Sequence, residues 1–149
     1  MKSIHVSIRD QQLTVKQNAR PIRTYPVSTS RFGIGTEQGS LKTPTGRFRV
    51  AEKIGSDMPH GTVFVGRVPL QADEALPATE DQITSRILWL DGLGKRNANT
   101  HDRFIYIHGT KHDEMLGRPD SHGCIRMRDS DVIELFDLVE EGTPVTIKK

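Results

Sequence analysis

Cysteine is nearly absent from this chain. Cys124 is the single one in 149 residues, so an intrachain disulfide is excluded and a reducing compartment suits the sequence. Long hydrophobic runs are missing too: no stretch approaches the ~18 apolar residues of a membrane helix, and no membrane span is expected. Aromatics are scarce, with five Phe, two Tyr and one Trp, and none is spaced as a stacking platform. The formal charge is only +2, and the 21 Lys and Arg are scattered, so no nucleic-acid partner is expected. The start, Met1-Lys2-Ser3-Ile4-His5-Val6-Ser7-Ile8-Arg9, alternates apolar with polar residues and lacks the apolar stretch of about 7–15 residues of a secretory leader. It reads as a strand. A cytoplasmic location is expected, or a periplasmic one if a leader was removed.

What is present is enough for one domain, residues 1–149, because a chain of this length hides roughly 70% of the surface it exposes when unfolded. Ile4, Val6 and Ile8 share a face; Leu13-Thr14-Val15 and the stretch from Ile22 to Val27 follow after polar turns, predicting three short antiparallel strands. Phe48 and Val50, Val63-Phe64-Val65 and Ile87-Leu88-Trp89-Leu90 predict further strands, with a polar loop or short helix around residues 71–82. One helix is expected late: Val132, Ile133, Leu135, Phe136, Leu138 and Val139 repeat at helical spacing behind Asp129 or Ser130 as cap, with Gly142 and Pro144 ending it. The fold class is therefore mainly β, a compact sandwich or barrel with one helix in the C-terminal half.

The chemistry concentrates between residues 103 and 127. Arg103-Phe104-Ile105-Tyr106-Ile107 reads as a strand delivering His108, and Gly109 reads as a sharp break leading into a loop. After that loop comes Ser121-His122-Gly123-Cys124-Ile125-Arg126-Met127. A thiolate is the attacking form of cysteine, and a nearby imidazole supplies the proton acceptor that makes it available at neutral pH. Flanked this way, Cys124 reads as a nucleophile; an isolated unpaired cysteine is more often a small buried hydrophobe.

The segment closely resembles the catalytic signature of the L,D-transpeptidase family (YkuD-type domain), in which a strand-end histidine is followed by Ser/Thr-His-Gly-Cys, a hydrophobic residue, and Arg or Asn. Tyr25-Pro26-Val27-Ser28-Thr29, Thr43-Pro44-Thr45-Gly46-Arg47-Phe48 and Gly142-Thr143-Pro144-Val145 look like other recurring segments of that family, so the resemblance spans nearly the whole chain. Ser30 stands where the family often has glycine, and residues 71–102 follow no alignable pattern; Trp89 and the glycines after it are candidates for a lid over the groove.

The resemblance implies Cys124 as nucleophile, His108 as general base and the Gly109 carbonyl as the group orienting its ring. His122 is expected to shape the pocket or assist protonation, with a turn-stabilising role equally open. Gly123 is expected to aim its N–H, with that of Cys124, at the substrate oxygen, and Ser121 to stabilise the loop. Arg126 would share the face of Cys124 in an extended segment, where a guanidinium suits a carboxylate, although a surface salt bridge competes. Thr43 reads as structural, and His60, His101 and His112 as exposed loop residues. The implied substrates are peptidoglycan stem peptides or muropeptides, cleaved between the L-centre of the third residue, often diaminopimelate, and terminal D-alanine through a thioacyl-enzyme. No cofactor is implied, and carbapenems are expected to acylate Cys124. Water as acceptor gives an L,D-carboxypeptidase trimming tetrapeptide to tripeptide in recycling, the favoured expectation; an amine gives an L,D-transpeptidase forming 3→3 cross-links. Two other readings compete: a zinc-stabilised binding module using His108, His112, His122 and Cys124, and a cell-wall peptide binder without turnover.

Overall fold

A computed structural model describes residues 1–71 and 82–149. The expected loop or short helix near residues 71–82 falls almost wholly outside the described residues. The strands are β1 (Lys2–Ser7), β2 (Gln12–Gln17), β3 (Arg20–Ser28), β4 (Gly46–Ile54), β5 (Val63–Val65), β6 (Val68–Pro69), β7 (Ile83–Gly92), β8 (Tyr106–Thr110), β9 (Ile125–Arg128) and β10 (Pro144–Lys148); the helix α1 is Asp129–Leu138. Among the described residues no helix is long and apolar enough to cross a membrane.

The strand order is β4-β10-β1-β2-β3-β9-β8-β7, and β7 pairs back onto β4, so the sheet closes on itself. Closure removes the free edges that an open sheet would leave for unwanted pairing. The short β5–β6 hairpin adds to β7 outside this ring. Most pairs are antiparallel, as the hairpin-like sequence spacing of β1, β2 and β3 predicts. Two pairs are parallel, β1 with β10 and β8 with β9, each joining strands distant enough in sequence for a crossover.

The period-2 pattern of these strands divides two apolar clusters. The larger takes Ile4 and Val6, Leu13 and Val15, Val27, Phe48 and Val50, Leu88 and Leu90, Ile107, Ile125 and Met127, Val145 and Ile147, together with Val132, Leu135 and Phe136 of α1. The smaller, on the opposite face of β7 and β8, holds Phe64, Ile87, Trp89 and Tyr106, with Ile54, Met58, Ile83 and Cys124 packed against it. Covered on both sides, β8 is buried at all five positions.

Several local expectations are corrected. Gly109 does not break the chain; it lies inside β8, paired with Thr84 and Met127. A side chain there would collide with the Asp129 carboxylate and the Thr84 backbone, so glycine serves close packing of β7, β8 and α1 and not a turn. The turn instead precedes the strand: Phe104 has φ +58°, and residues 103–105 lie outside β8. Asp129 is not the helix cap. Arg128 holds that position without a side-chain cap bond, while Asp129 Oδ1 accepts hydrogen bonds from Thr84 Oγ1 (2.5 Å) and Ser85 Oγ (2.7 Å). The helix stops at Leu138, and Gly142, at φ +92°, turns the chain into β10. Trp89 is no lid residue: it sits within β7, 9% exposed, with His101 stacked on its indole at a 3.8 Å centroid separation.

Candidate active site

Parallel pairing of β8 with β9 sets His108 opposite Arg126 and Ile107 opposite Ile125. Side chains alternate along each strand, so Ile107, Ile125 and Met127 enter the main core while Tyr106, His108, Cys124 and Arg126 share the other face. The loop between the strands thereby returns the thiol to the face that carries the imidazole.

The sulfur is half-buried and held at two points. The Tyr106 backbone N–H points to Cys124 Sγ at 3.3 Å, and Sγ lies 3.3 Å from the Phe104 carbonyl oxygen. The carbonyl accepts the thiol proton, whereas the amide favours the ionised sulfur. Arg103 adds positive charge: burial pulls its pKa below the usual guanidinium range, and the Cys124 thiolate opposes that fall. Such an attraction keeps the guanidinium charged on the side of the sulfur.

His108 is fully buried, and its Nδ1 lies 2.6 Å from the Gly109 carbonyl oxygen. A carbonyl only accepts, so Nδ1 carries the proton and the lone pair falls on Nε2, the position from which an imidazole takes a proton.

The Ser-His-Gly-Cys turn is closed by its own polar groups. Ser121 Oγ donates to the Cys124 carbonyl at 2.6 Å and accepts from the Gly123 N–H at 3.2 Å. The Gly123 N–H is thus directed at Ser121 and not toward a substrate oxygen, a departure from the expected arrangement. Gly123 has φ +123°, a region that favours glycine, and sits against the carbonyls of Leu41 and Lys42. His122 is half-buried beside Phe32, with ring centroids 6.1 Å apart. Arg126 does share the face of Cys124, but it is 1% exposed and its Nη1 meets Asp120 Oδ2 at 2.6 Å. Asp120 in turn accepts from Arg31 through its carbonyl, at 3.0 Å. A buried ion pair of this kind ties the returning loop to β9.

Two residues matter more here than the sequence reading allowed. Thr43 is fully buried; its Oγ1 accepts from the Ser30 N–H at 3.0 Å and donates to the Gly123 carbonyl at 2.9 Å, bolting one loop to the cysteine turn. Arg103 donates to the carbonyls of Gly35 (3.2 Å) and Lys42 (2.7 Å) and to Ser40 Oγ (3.3 Å), holding the same loop from the other side. The Thr-Pro-Thr-Gly string was the available signal for the first; the second has none in sequence. Ser30 also contributes, its hydroxyl donating to the Leu41 carbonyl at 2.5 Å. Among the described residues no group of three or more His, Cys, Asp and Glu side chains is placed to hold a metal ion, which leaves the zinc reading without a ligand set there.

This is a closed β barrel that presents a thiol and an imidazole together on one outer face. Residues 1–147 match the profile of the L,D-transpeptidase catalytic domain (YkuD), and the chain belongs to that family. A Bacillus subtilis (strain 168) protein provisionally named as the L,D-transpeptidase YkuD is 32% identical over 146 residues, covering 98% of this chain and 65% of that protein. The chain thus spans about two thirds of that relative's length. Among solved structures, an L,D-transpeptidase from Mycobacterium smegmatis matches with TM-score 0.66 and 19% identity, over 99% of this chain and 58% of that one. L,D-transpeptidase 3 from Mycobacterium tuberculosis, solved with a faropenem-derived adduct, matches with TM-score 0.62 and 18% identity, over 99% of this chain and 60% of that one. These likenesses show that the fold is the one those proteins have.

Proposed function

We infer that this chain is a cysteine acyltransferase of peptidoglycan stem peptides, acting between the L-centre of the third residue and a terminal D-alanine. The observation that carries the reading is the placement of Cys124 Sγ against the Tyr106 N–H and the Phe104 carbonyl, on the sheet face of an imidazole whose tautomer the Gly109 carbonyl fixes. In the proposed cycle His108 Nε2 takes the thiol proton and the sulfur adds to the scissile carbonyl. The proton then passes to the departing D-alanine amine, leaving a thioester on Cys124. Ser121, Gly123 and Thr43 hold the cysteine turn still during this exchange, and His122 lines its rim. Arg126 supports the same turn through Asp120.

For the acceptor we assign water, which needs no second recognition site; the product is then a tripeptide and the enzyme an L,D-carboxypeptidase. A second reading, an amine acceptor giving 3→3 cross-links, is favoured by the transpeptidase names of its relatives. Mass-resolved analysis of products from a disaccharide-tetrapeptide, with and without a competing amine, separates the two. Tripeptide with free D-alanine in both reactions supports hydrolysis; an amine-bearing product identifies a transpeptidase, and no release of D-alanine overturns the proposal. Carbapenems are expected to acylate Cys124, visible as a mass increment that Cys124→Ser lacks.

A further inference from the structure

Arg67 sits at the tip of the β5–β6 hairpin, in a two-residue turn where Gly66 and Arg67 both have positive φ, +56° and +68°. Such a turn prefers Asn and Gly, and a long side chain in the left-handed region costs roughly 1–2 kcal/mol. Side chains held against such a preference often have a task. Its guanidinium lies over the Trp89 ring at 4.8 Å and the Phe104 ring at 5.1 Å, and Nη1 donates to the Tyr106 hydroxyl at 3.0 Å. Phe104 and Tyr106 are the two residues whose backbones hold Cys124 Sγ. The guanidinium therefore packs against the side chains of both residues that hold the sulfur.

Its partners among the described residues are two aromatic rings and a phenol. Burial pushes the Tyr106 phenol above its ordinary pKa, although Arg67 opposes this, so the phenol stays neutral across the physiological range. Glu52, a carboxylate that acts on the Tyr106 phenol, faces His101 at 3.8 Å. Among the described residues no carboxylate forms an ion pair with Arg67. One of its five N–H donors serves Tyr106, and an Arg already held against two rings and a phenol loses little freedom when it binds a carboxylate in bidentate fashion.

We propose that Arg67 is a specificity-determining residue that recognises a carboxylate of the acyl donor beside Cys124. This rests on the acyl-transfer reading above and assigns recognition of the donor's carboxylate to one side chain of this chain. The carboxylate belongs either to the side chain of the third residue or to the terminal D-alanine.

The test is alkylation of Cys124 in the whole protein by N-iodoacetyl-D-alanine and by its neutral amide. The wild type is expected to react faster with the acid, and Arg67→Gln to lower the acid rate about tenfold while changing the amide rate less than about twofold. Arg67→Lys should recover part of the preference, because a point charge replaces the fork. Arg67→Gly, which relieves the turn, should unfold no earlier than the wild type and lose the preference equally; it carries the test if the Gln variant does not fold. An acid-to-amide ratio unchanged in both variants overturns the proposal. Tetrapeptide donors amidated at one carboxylate or the other then assign the group, since Arg67→Gln should erase only one of the two discriminations. If no donor turns over yet the alkylation preference depends on Arg67, the carboxylate site stands and the acyl-transfer reading falls.

Discussion

The two faces of β7, β8 and β9 differ in kind. The inner face is made of Leu88, Leu90, Ile107, Ile125 and Met127, each fully buried in one apolar cluster. The outer face carries Trp89, Tyr106, His108, Cys124 and Arg126, groups with hydrogen-bonding or ionic capacity, each held by at least one named partner. Substitution on the inner face is therefore a matter of volume, whereas on the outer face it is a matter of which proton or charge is lost. One strand serves both because its side chains alternate.

The largest effect should separate the faces completely. Cys124→Ser is expected to lower acyl transfer by at least about a thousandfold while thermal unfolding barely moves, since only one sulfur is exchanged for oxygen. His108→Ala should cost roughly 10²–10⁴ in rate, and alkylation of Cys124 should slow at neutral pH and rise only at higher pH. Retained turnover by the serine variant would end the nucleophile assignment. An alkylation profile indifferent to the ring would end that of the base.

Ile107→Ala tests the other side. Its side chain lies between those of Tyr106 and His108 in sequence but enters the core, so truncation should cost roughly 2–5 kcal/mol, read from denaturant unfolding. Activity per folded molecule should stay near that of the wild type. A catalytic loss larger than the folding loss would show that the faces are coupled.

That division was largely legible in the sequence. Period-2 alternation placed β1, β2 and β3 and the core half of β4, and the Ser-His-Gly-Cys string marked the site's turn. What stayed hidden were contacts between segments far apart in the chain. Gly109 looked like a turn because glycine usually signals one, while its reason is the approach of Asp129 from α1 and Thr84 from β7. Arg126 is a nearer case: a surface salt bridge was one of its two expected roles, and the ion pair it makes with Asp120, six residues earlier, buries the guanidinium. Helix capping, expected at Asp129 or Ser130, falls on Arg128 because the Asp129 carboxylate is engaged by two hydroxyls across the fold.

Thr43→Val probes the seam between loop and turn. Removing one hydroxyl leaves the Ser30 N–H and the Gly123 carbonyl without that partner in a buried place, at an expected cost of about 1–3 kcal/mol. Because Gly123 precedes Cys124, activity should fall as well, by more than the fraction unfolded accounts for. A variant equally stable but slow would make Thr43 a positioning residue. One less stable but unimpaired in rate would make the bolt purely structural.

The smallest effect concerns a histidine on the barrel's outer face far from the thiol in the strand order. His5 alternates with Ile4 and Val6 of β1, which are buried, and its Nε2 lies 2.8 Å from Ser3 Oγ. Burial, with Lys16 and Lys148 nearby, lowers its pKa below the ordinary imidazole value of 6.5. The fold thus favours the neutral ring. The stability this contributes is fully present above the unfolded value and is lost as pH falls through the lower folded one, because the unfolded chain then binds the proton more readily. His5→Gln, which cannot titrate, should flatten the dependence of unfolding temperature on pH on the acid side of neutrality and leave alkylation of Cys124 unaffected. His108→Ala should do the reverse for alkylation, so a pH slope in stability that survives in His5→Gln would mean that an imidazole elsewhere in the fold carries it.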